Sequence, residues 1–204
     1  MVDKKPPPKR QLEIQLARLK ILETPKLRLE QYPVSPEVAS ELLYMAGFEQ
    51  SDLDGSVIDL GTGTGRLAIG AALMGADPVV GVDVDSAALA LARQNAETLG
   101  VNVEWEQSSV EEVRGTYDSA IMNPPYGTRT VHADVNFLRK ALQIASAVYS
   151  IHKSSTRAYL TRYVQENGAR IVETRSMNME IPYLFGFHSK KWKSVEVDLH
   201  RMKR

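Results

Sequence analysis

The chain has 204 residues, of which 43% are hydrophobic, and this predicts one domain with a buried core, or one domain with a short extension. We expect neither a membrane-spanning segment nor a signal peptide, because no apolar run is long enough for the first and residues 1–10 are polar and proline-rich. The absence of cysteine excludes disulfides and thiolate metal sites and is consistent with a cytoplasmic location, so any zinc would have to be carried by a partner.

The charges are segregated along the chain, although the formal net charge is zero. Residues 1–28 carry eight Lys or Arg against three acids, and residues 188–204 carry six against two, which leaves 11 basic and 20 acidic residues between them. Basic termini on an acidic body indicate phosphate contacts at the ends of the chain. Solvated termini that keep the protein soluble explain the charge alone equally well.

The first 28 residues are interpreted as a basic extension of a domain that covers residues 29–204. Residues 4–9 have low complexity and are expected to be disordered. Apolar residues at helical spacing predict an amphipathic helix over residues 12–22. A second helix is predicted after the capping residue Ser35, with proline at its first position, and Gly47 is expected to close it.

From residue 57 onward, short apolar runs alternate with amphipathic segments, as is typical of repeated β-α-β units. Two long runs then follow each other with no helix between them. The pattern predicts an α/β fold, a three-layer Rossmann-like sheet that is mostly parallel with an antiparallel terminal strand. The predicted strands span residues 57–60, 79–82, 102–107, 117–122, 148–152, 169–180 and 194–202. The predicted helices between them span residues 66–74, 85–99, 134–145 and 155–166.

A glycine loop connects the first predicted strand to its helix, within the sequence Asp59-Leu60-Gly61-Thr62-Gly63-Thr64-Gly65. Asp83 ends the second strand, where its carboxylate can bind both ribose hydroxyls of a nucleoside. The spacing G-x-G-x-G differs from the dinucleotide fingerprint G-x-G-x-x-G. Because Asp59 at the loop entrance would repel a pyrophosphate but suits the ammonium group of a methionine moiety, S-adenosylmethionine is favoured over NAD. A helix-capping acid and a solvated strand-end charge remain alternatives for the two carboxylates taken singly.

The segment Asn123-Pro124-Pro125-Tyr126 follows the fourth predicted strand, at a carboxyl end where open α/β sheets bind ligands. An exocyclic amine on a base, or an amide, is a poor nucleophile because its lone pair is conjugated. The Asn123 side-chain carbonyl and the Pro124 backbone carbonyl can accept its two hydrogens and turn the lone pair toward a methyl donor, while Tyr126 can stack on the ring. An ordinary proline turn is the alternative for these four residues alone.

These segments resemble the methyltransferase-like protein 5 family, the class I S-adenosylmethionine-dependent RNA adenine-N6 methyltransferases of eukaryotes and archaea. The most specific are Leu29-Glu30-Gln31-Tyr32-Pro33 and Tyr149-Ser150-Ile151-His152-Lys153-Ser154-Ser155, and the resemblance covers nearly the whole chain. It implies a class I methyltransferase sheet and methylation of an adenosine in small-subunit ribosomal RNA. It also implies a small zinc-binding activator protein as a partner.

The resemblance further implies roles for individual residues. Residues 123–126 would form the catalytic loop. Where the family commonly has an acid that accepts from the cofactor's adenine amine, this chain has Ser108-Ser109, so Ser109 is the expected and weaker acceptor. Tyr126 stands where we expect Phe in close relatives, and its ring can still stack. The implied cofactor-binding residues are Gln31, Tyr32, Asp59, Gly61, Thr62, Gly63, Asp83, Ser109 and Asn123.

We expect no separate RNA-recognition domain, since the chain has little room for one. Contacts would come from the basic N-terminal segment, the loop at residues 127–133 with Arg129 and His132, the segment 183–193, or a partner. Lys153-Ser154-Ser155 could contact phosphate or cap a helix. Neither His132 nor His152 is expected to act as a base, and the target base must leave its stack to reach the site.

Two alternative functions remain open. The same motif would suit DNA adenine or a protein glutamine amide, because each presents a planar nitrogen. A non-catalytic rRNA-binding assembly factor is the other alternative, although such a protein has no need of acceptors directed at an amine.

Overall fold

Seven strands form one sheet in the computed structural model, which describes residues 6–126, 133–182 and 192–204. The strands are β1 Val57–Leu60, β2 Val79–Asp83, β3 Glu104–Gln107, β4 Tyr117–Met122, β5 Ala145–Lys153, β6 Arg170–Pro182 and β7 Trp192–Lys203. The α-helices are α1 Lys9–Ala17, α2 Pro36–Tyr44, α3 Arg66–Leu73, α4 Ser86–Leu99, α5 Ala133–Ile144 and α6 Arg157–Glu166. No helix of the described residues is long and apolar enough to cross a membrane.

The strand order is β3-β2-β1-β4-β5-β7-β6, and β7 runs antiparallel to both neighbours while the other adjacent strands pair in parallel. The predicted mostly parallel sheet with an antiparallel terminal strand is therefore confirmed. Leu60 is in register with Val82 on one side and with Met122 on the other. Because β1, β2 and β4 are parallel and in step, the residues that follow them meet at one edge of the sheet.

Two apolar layers cover the sheet, as expected where both faces of a parallel sheet are buried. Val57 of β1 packs in a cluster with α1, α2 and α3, whereas its neighbour Ile58 packs in a second cluster with α5 and α6. All four residues of β1 are buried. The alternation of side chains along each strand thus divides the core into two halves on opposite sides of the sheet.

The N-terminal extension is joined to this core. Leu12 and Leu16 of α1 are fully buried against α2 and α3. The helix ends at Ala17 rather than at residue 22, because the backbone beyond it pairs with α4. The Lys20 N–H donates to the side-chain oxygen of Asn95, and the Lys20 carbonyl accepts from the side-chain nitrogen of the same residue, both at 3.0 Å. The division at residue 28 stays a prediction, and residues 1–5 lie outside the described residues.

Gly47 does not close the second helix, contrary to expectation. The chain continues past α2 as a π-helical segment, Met45–Glu49, that includes the glycine. A Cβ at Gly47 would lie 3.0 Å from the Met74 side chain and 3.2 Å from that of Leu53. The glycine is therefore explained by close packing between elements rather than by a helix cap.

The remaining boundaries differ from prediction by a few residues. β1 and β4 coincide with their predicted ranges, while β5 begins at Ala145 directly after α5 and β3 is shorter than expected. A 3-10 turn, Ser154–Thr156, precedes α6. These shifts leave the order of elements, and so the location of the site, unchanged.

Candidate active site

A cavity of about 300 Å³ opens at the carboxyl edge of the sheet, where β1, β2 and β4 end. This is within the size range of small-molecule sites. All nine predicted cofactor-binding residues line it, together with Pro125. Pro124 and Tyr126 do not line it, so the segment 123–126 contacts this cavity only through Asn123 and Pro125.

The glycine loop is pinned to the neighbouring strand and brings its backbone close to the cavity. The N–H groups of Gly61 and Thr62 both donate to the carbonyl of Val82 at 2.9 Å. Gly61 and Gly63 have φ of +70° and +55°, a conformation that favours glycine. A Cβ at Gly61 would lie 2.7 Å from the Phe137 ring, whereas nothing lies within 4 Å of one built on Gly63. The loop therefore leaves open space above Gly63 where a ligand can approach the backbone.

Asp59 is 1% exposed and its two carboxylate oxygens have different surroundings. Oδ2 accepts from the Thr62 hydroxyl at 2.7 Å and from the Ala68 N–H of α3 at 3.0 Å. Oδ1 has no hydrogen-bond partner among the described residues. Burial raises the pKa of Asp59 to about 7, and the nearby Asp83 charge acts in the same direction. One oxygen thus caps the helix, and the other is left for a donor that enters the cavity.

Asp83 is held by backbone donors on both sides. Oδ2 accepts from the N–H of Gly63 at 2.8 Å, and Oδ1 accepts from that of Asp85 at 2.9 Å. Burial raises the pKa of this carboxyl, and the Asp85 charge adds to the effect. Since each carboxylate oxygen can accept more than one hydrogen bond, two lone pairs remain for ribose hydroxyls.

A segment from the N-terminal side of the domain lies across the cavity and is tied to α4. Gln31 donates from Nε2 to Asp85 Oδ2 at 2.7 Å, and its Oε1 accepts from the Lys26 N–H at 2.7 Å. The Lys26 ammonium pairs with the other oxygen of Asp85, also at 2.7 Å. Asp85 is 4% exposed. Gln31 therefore lines the cavity, with its amide engaged in holding this segment rather than directed at a ligand.

Asn123 stands between this segment and Tyr126. Its Nδ2 donates to the carbonyl of Tyr32 at 3.4 Å, and its Oδ1 accepts from the Tyr126 hydroxyl at 3.4 Å. Both bonds are long, so an incoming amine can displace the second without a large loss. Burial raises the pKa of Tyr126, and the Lys153 ammonium lies 5.0 Å from its ring centroid. The ring has a cation over one face, as aromatic rings favour.

Ser109 lines the cavity but its hydroxyl donates to Glu112 Oε2 at 2.7 Å. Its lone pairs remain able to accept. Glu111, two residues later, also lines the cavity and was missed from the sequence. Its Oε1 accepts from the Asn136 amide at 3.3 Å. A carboxylate therefore lines the cavity two residues beyond Ser109, the position at which the resemblance implied an acceptor.

Arg66 is a second cavity residue that sequence reasoning missed. It is the first residue of α3, 8% exposed, and donates from one guanidinium nitrogen to the carbonyl of Val34. Nε has no partner among the described residues. The signal in the sequence is a single cation directly after the glycine loop, at the start of an otherwise apolar helix.

The histidines and basic segments contribute little to the described site. His152 is buried, and burial lowers its pKa to about 3, so the ring is neutral and a weak base. Ser154 neither caps a helix nor is free for phosphate, since it donates to Asp198 at 2.8 Å. The loop with Arg129 and His132, the segment 183–191 and residues 1–5 lie outside the described residues.

This chain is similar to known proteins in both fold and sequence. The family model of the methyltransferase small domain matches residues 36–150. The rRNA N(6)-adenosine-methyltransferase Mettl5 of Drosophila melanogaster is 36% identical over 201 residues, which cover 94% of this chain and 94% of that protein. METTL5 of Danio rerio is 36% identical over 200 residues, covering 94% and 97% of the two chains. A crystal structure from Pyrococcus horikoshii, of a protein proposed to be an RNA methyltransferase, has a TM-score of 0.90 and 38% identity, and covers 97% and 98% of the two chains.

Proposed function

The chain belongs to the family of METTL5 rRNA N6-adenosine methyltransferases, and we propose that it transfers a methyl group from S-adenosylmethionine to the N6 amine of an adenosine in RNA. The observation that carries this proposal is the position of Asn123. Its amide follows β4, in register with the β1 strand that enters the glycine loop, and lines the same cavity as Asp59 and Asp83. An acceptor directed at an amine thus lies beside a site suited to a nucleoside with a cationic amino-acid tail.

The residues of the cavity suit the cofactor. Asp83 offers one free lone pair on each oxygen to the ribose, and the unpartnered Oδ1 of Asp59 offers an acceptor to the ammonium group. Gly63 leaves room for the ligand to approach the backbone. Once bound, the cofactor supplies a methyl group activated by a sulfonium centre.

The chain's own groups then act on the adenine amine. The Asn123 carbonyl exchanges its long bond from the Tyr126 hydroxyl for a bond from the amine. The second hydrogen is assigned to the carbonyl of the next residue, Pro124, although Pro124 is outside the lining of the cofactor cavity. The lone pair is thereby turned toward the methyl donor, so catalysis consists of positioning and of acceptors aligned with the charge that develops on the amine. As the bond between nitrogen and the methyl carbon forms, the methyl–sulfur bond would break with its electron pair going to sulfur, which leaves S-adenosylhomocysteine. The methylated amine then loses its extra proton, so a strong base is not required. His152, neutral and weakly basic, is not needed for the step.

The test is Asn123→Ala in an assay of tritium transfer from labelled S-adenosylmethionine. One aligned acceptor contributes about 3 kcal/mol, so the rate at saturating S-adenosylmethionine should fall by roughly 100-fold or more. Asn102→Ala is the matched control, since it removes an exposed amide before β3, at the opposite edge of the sheet. Equal rates for the two variants would contradict the assigned role of Asn123.

The same assay separates the alternative functions. Transfer into a release-factor protein or into duplex DNA, with none into RNA, would favour a glutamine or DNA adenine substrate. An assembly factor would support ribosome assembly equally well with Asn123→Ala. The relatives' names favour RNA over both.

We further propose that the substrate is small-subunit ribosomal RNA, modified in the cytoplasm with a small zinc-binding activator as partner. The family resemblance supports the substrate and the activator, and the absence of cysteine is consistent with the cytoplasmic location. Nucleoside mass spectrometry of ribosomal RNA from cells with and without the protein should show loss of one N6-methyladenosine. Unchanged ribosomal RNA would overturn the choice of substrate, and full activity of the purified chain alone would remove the need for an activator.

A further inference from the structure

Arg66 is a buried cation for which the described residues provide no counter-ion. It begins α3 directly after the glycine loop, is 8% exposed and lines the cavity. One guanidinium nitrogen donates to the Val34 carbonyl, and Nε has no partner among the described residues. Burial lowers the pKa of Arg66 to about 10, and no nearby charge in the described part of the chain offsets that effect. The group therefore remains a cation at neutral pH.

Such an arrangement costs stability unless an anion enters. Buried charges in proteins are almost always paired, since desolvation of an unpaired ion costs several kcal/mol. The location adds to this cost, because the N-terminus of a helix repels cations. A neutral side chain could donate to the Val34 carbonyl equally well. The helix and its contact with Val34 thus do not account for a guanidinium at this position.

The cavity also contains a complementary acid. Asp59 lines the same cavity as Arg66, and its buried Oδ1, like Nε of Arg66, has no partner among the described residues. The two side chains form no ion pair with each other. A ligand that carries one cation and one anion on neighbouring atoms can satisfy both groups together. The amino-acid end of S-adenosylmethionine is such a ligand.

We propose that Arg66 binds the carboxylate of the cofactor's methionine moiety and selects nucleosides that carry it, while Asp59 binds the ammonium group beside it. This inference rests on the proposed function, because it takes S-adenosylmethionine as the cofactor. Arginine suits the task, since its planar guanidinium presents several donors to a carboxylate. Through this contact, the cavity would distinguish the intact cofactor from nucleosides that lack the carboxylate.

The experiment compares two ligands by isothermal titration calorimetry. S-adenosylhomocysteine carries the amino-acid group, and 5′-(3-aminopropylthio)adenosine is the same molecule without its carboxylate. A charge-assisted pair of this kind is worth about 10- to 100-fold in affinity, so the wild-type chain should prefer S-adenosylhomocysteine by that factor. Arg66→Gln keeps a donor for Val34 but removes the charge. It should weaken S-adenosylhomocysteine by about the same factor and leave the decarboxylated ligand unchanged.

Arg93→Gln is the matched control, because Arg93 is an exposed arginine of α4 that does not line the cavity. It should preserve the preference between the two ligands. A preference that survives Arg66→Gln, or an equal loss of both ligands in that variant, would overturn the role of Arg66. Equal affinity of the wild-type chain for both ligands would overturn it without any variant. Failure of the wild-type chain to bind either nucleoside would overturn the proposed function as well.

Discussion

Replacing Asp59 with Asn tests whether the unliganded site holds a protonated carboxyl. The pKa of Asp59 is about 7 in the folded chain against 3.8 for an ordinary aspartate, because burial disfavours the carboxylate. Between these values the folded state binds more protons than the unfolded state, so the free energy of unfolding falls as pH rises. This stabilising contribution is fully present below about pH 4 and is lost above about pH 7. The two pKa values differ by about three, which corresponds to about 4 kcal/mol.

An asparagine resembles the protonated acid and still offers an oxygen to Thr62 and Ala68, so Asp59→Asn should lack this slope. Relative to the wild-type chain, its free energy of unfolding should rise by about 3 kcal/mol between pH 4.5 and pH 8. Urea denaturation of both chains across that range measures the difference. Carboxyls whose pKa is lowered, such as Asp52 and Asp198, give slopes of the opposite sign that cancel in the comparison. Asp83 is the exception, because its charge acts on Asp59.

Ligand binding provides the second half of the test. A bound ammonium group favours the carboxylate, so below about pH 7 the wild-type chain should release a proton when S-adenosylhomocysteine binds. Its affinity should therefore rise by up to tenfold per pH unit until about pH 7 and then level off. Asp59→Asn should bind more weakly above pH 7 and show no such rise. A stability difference that is constant with pH would refute the protonated carboxyl, and a pH-independent affinity of the wild-type chain would refute its contact with the ammonium.

Four further substitutions, at three residues, address other contacts of the site. Tyr126→Phe should change the rate of methyl transfer by no more than about twofold, because the ring that stacks on the base is kept. Tyr126→Ala should reduce that rate by roughly 10- to 100-fold, since base stacking contributes about 1–3 kcal/mol. Single-turnover transfer measures both rates. Gln31→Ala removes the hydrogen bond to the buried carboxylate of Asp85 and should lower the free energy of unfolding by about 2 kcal/mol. An unchanged midpoint of urea denaturation would argue against a role for Gln31 in holding the N-terminal segment on α4. Gly61→Ala places a Cβ 2.7 Å from the Phe137 ring at a φ of +70°, so it should cost about 1–3 kcal/mol of stability. A thermal midpoint equal to that of the wild-type chain would contradict this reading of the loop.

The sequence by itself determined the order of elements and the edge of the sheet at which the site forms. Apolar runs of four to six residues and their punctuation by glycine are local signals, and β1 and β4 have the bounds that these signals predict. Adjacent parallel strands that are in register end at the same edge of the sheet. The order of strands is therefore sufficient to place Asp59, Asp83 and Asn123 at one cavity. The family was recognised from the same segments, and its relatives confirm it.

Only the tertiary structure decided which charges are buried and which contacts each side chain makes. From the sequence, Arg66 is expected to be an exposed cation on a helix. In the structure, α3 packs against the N-terminal segment, which contacts Arg66 through the Val34 carbonyl and buries it. Gln31 binds Asp85 across more than fifty positions of the chain, and Gly47 is required by two side chains from other elements. Burial and pairing depend on groups distant in sequence, so no local pattern encodes them. For the same reason the free oxygen of Asp59 and the uncompensated guanidinium of Arg66 become visible only in the folded chain.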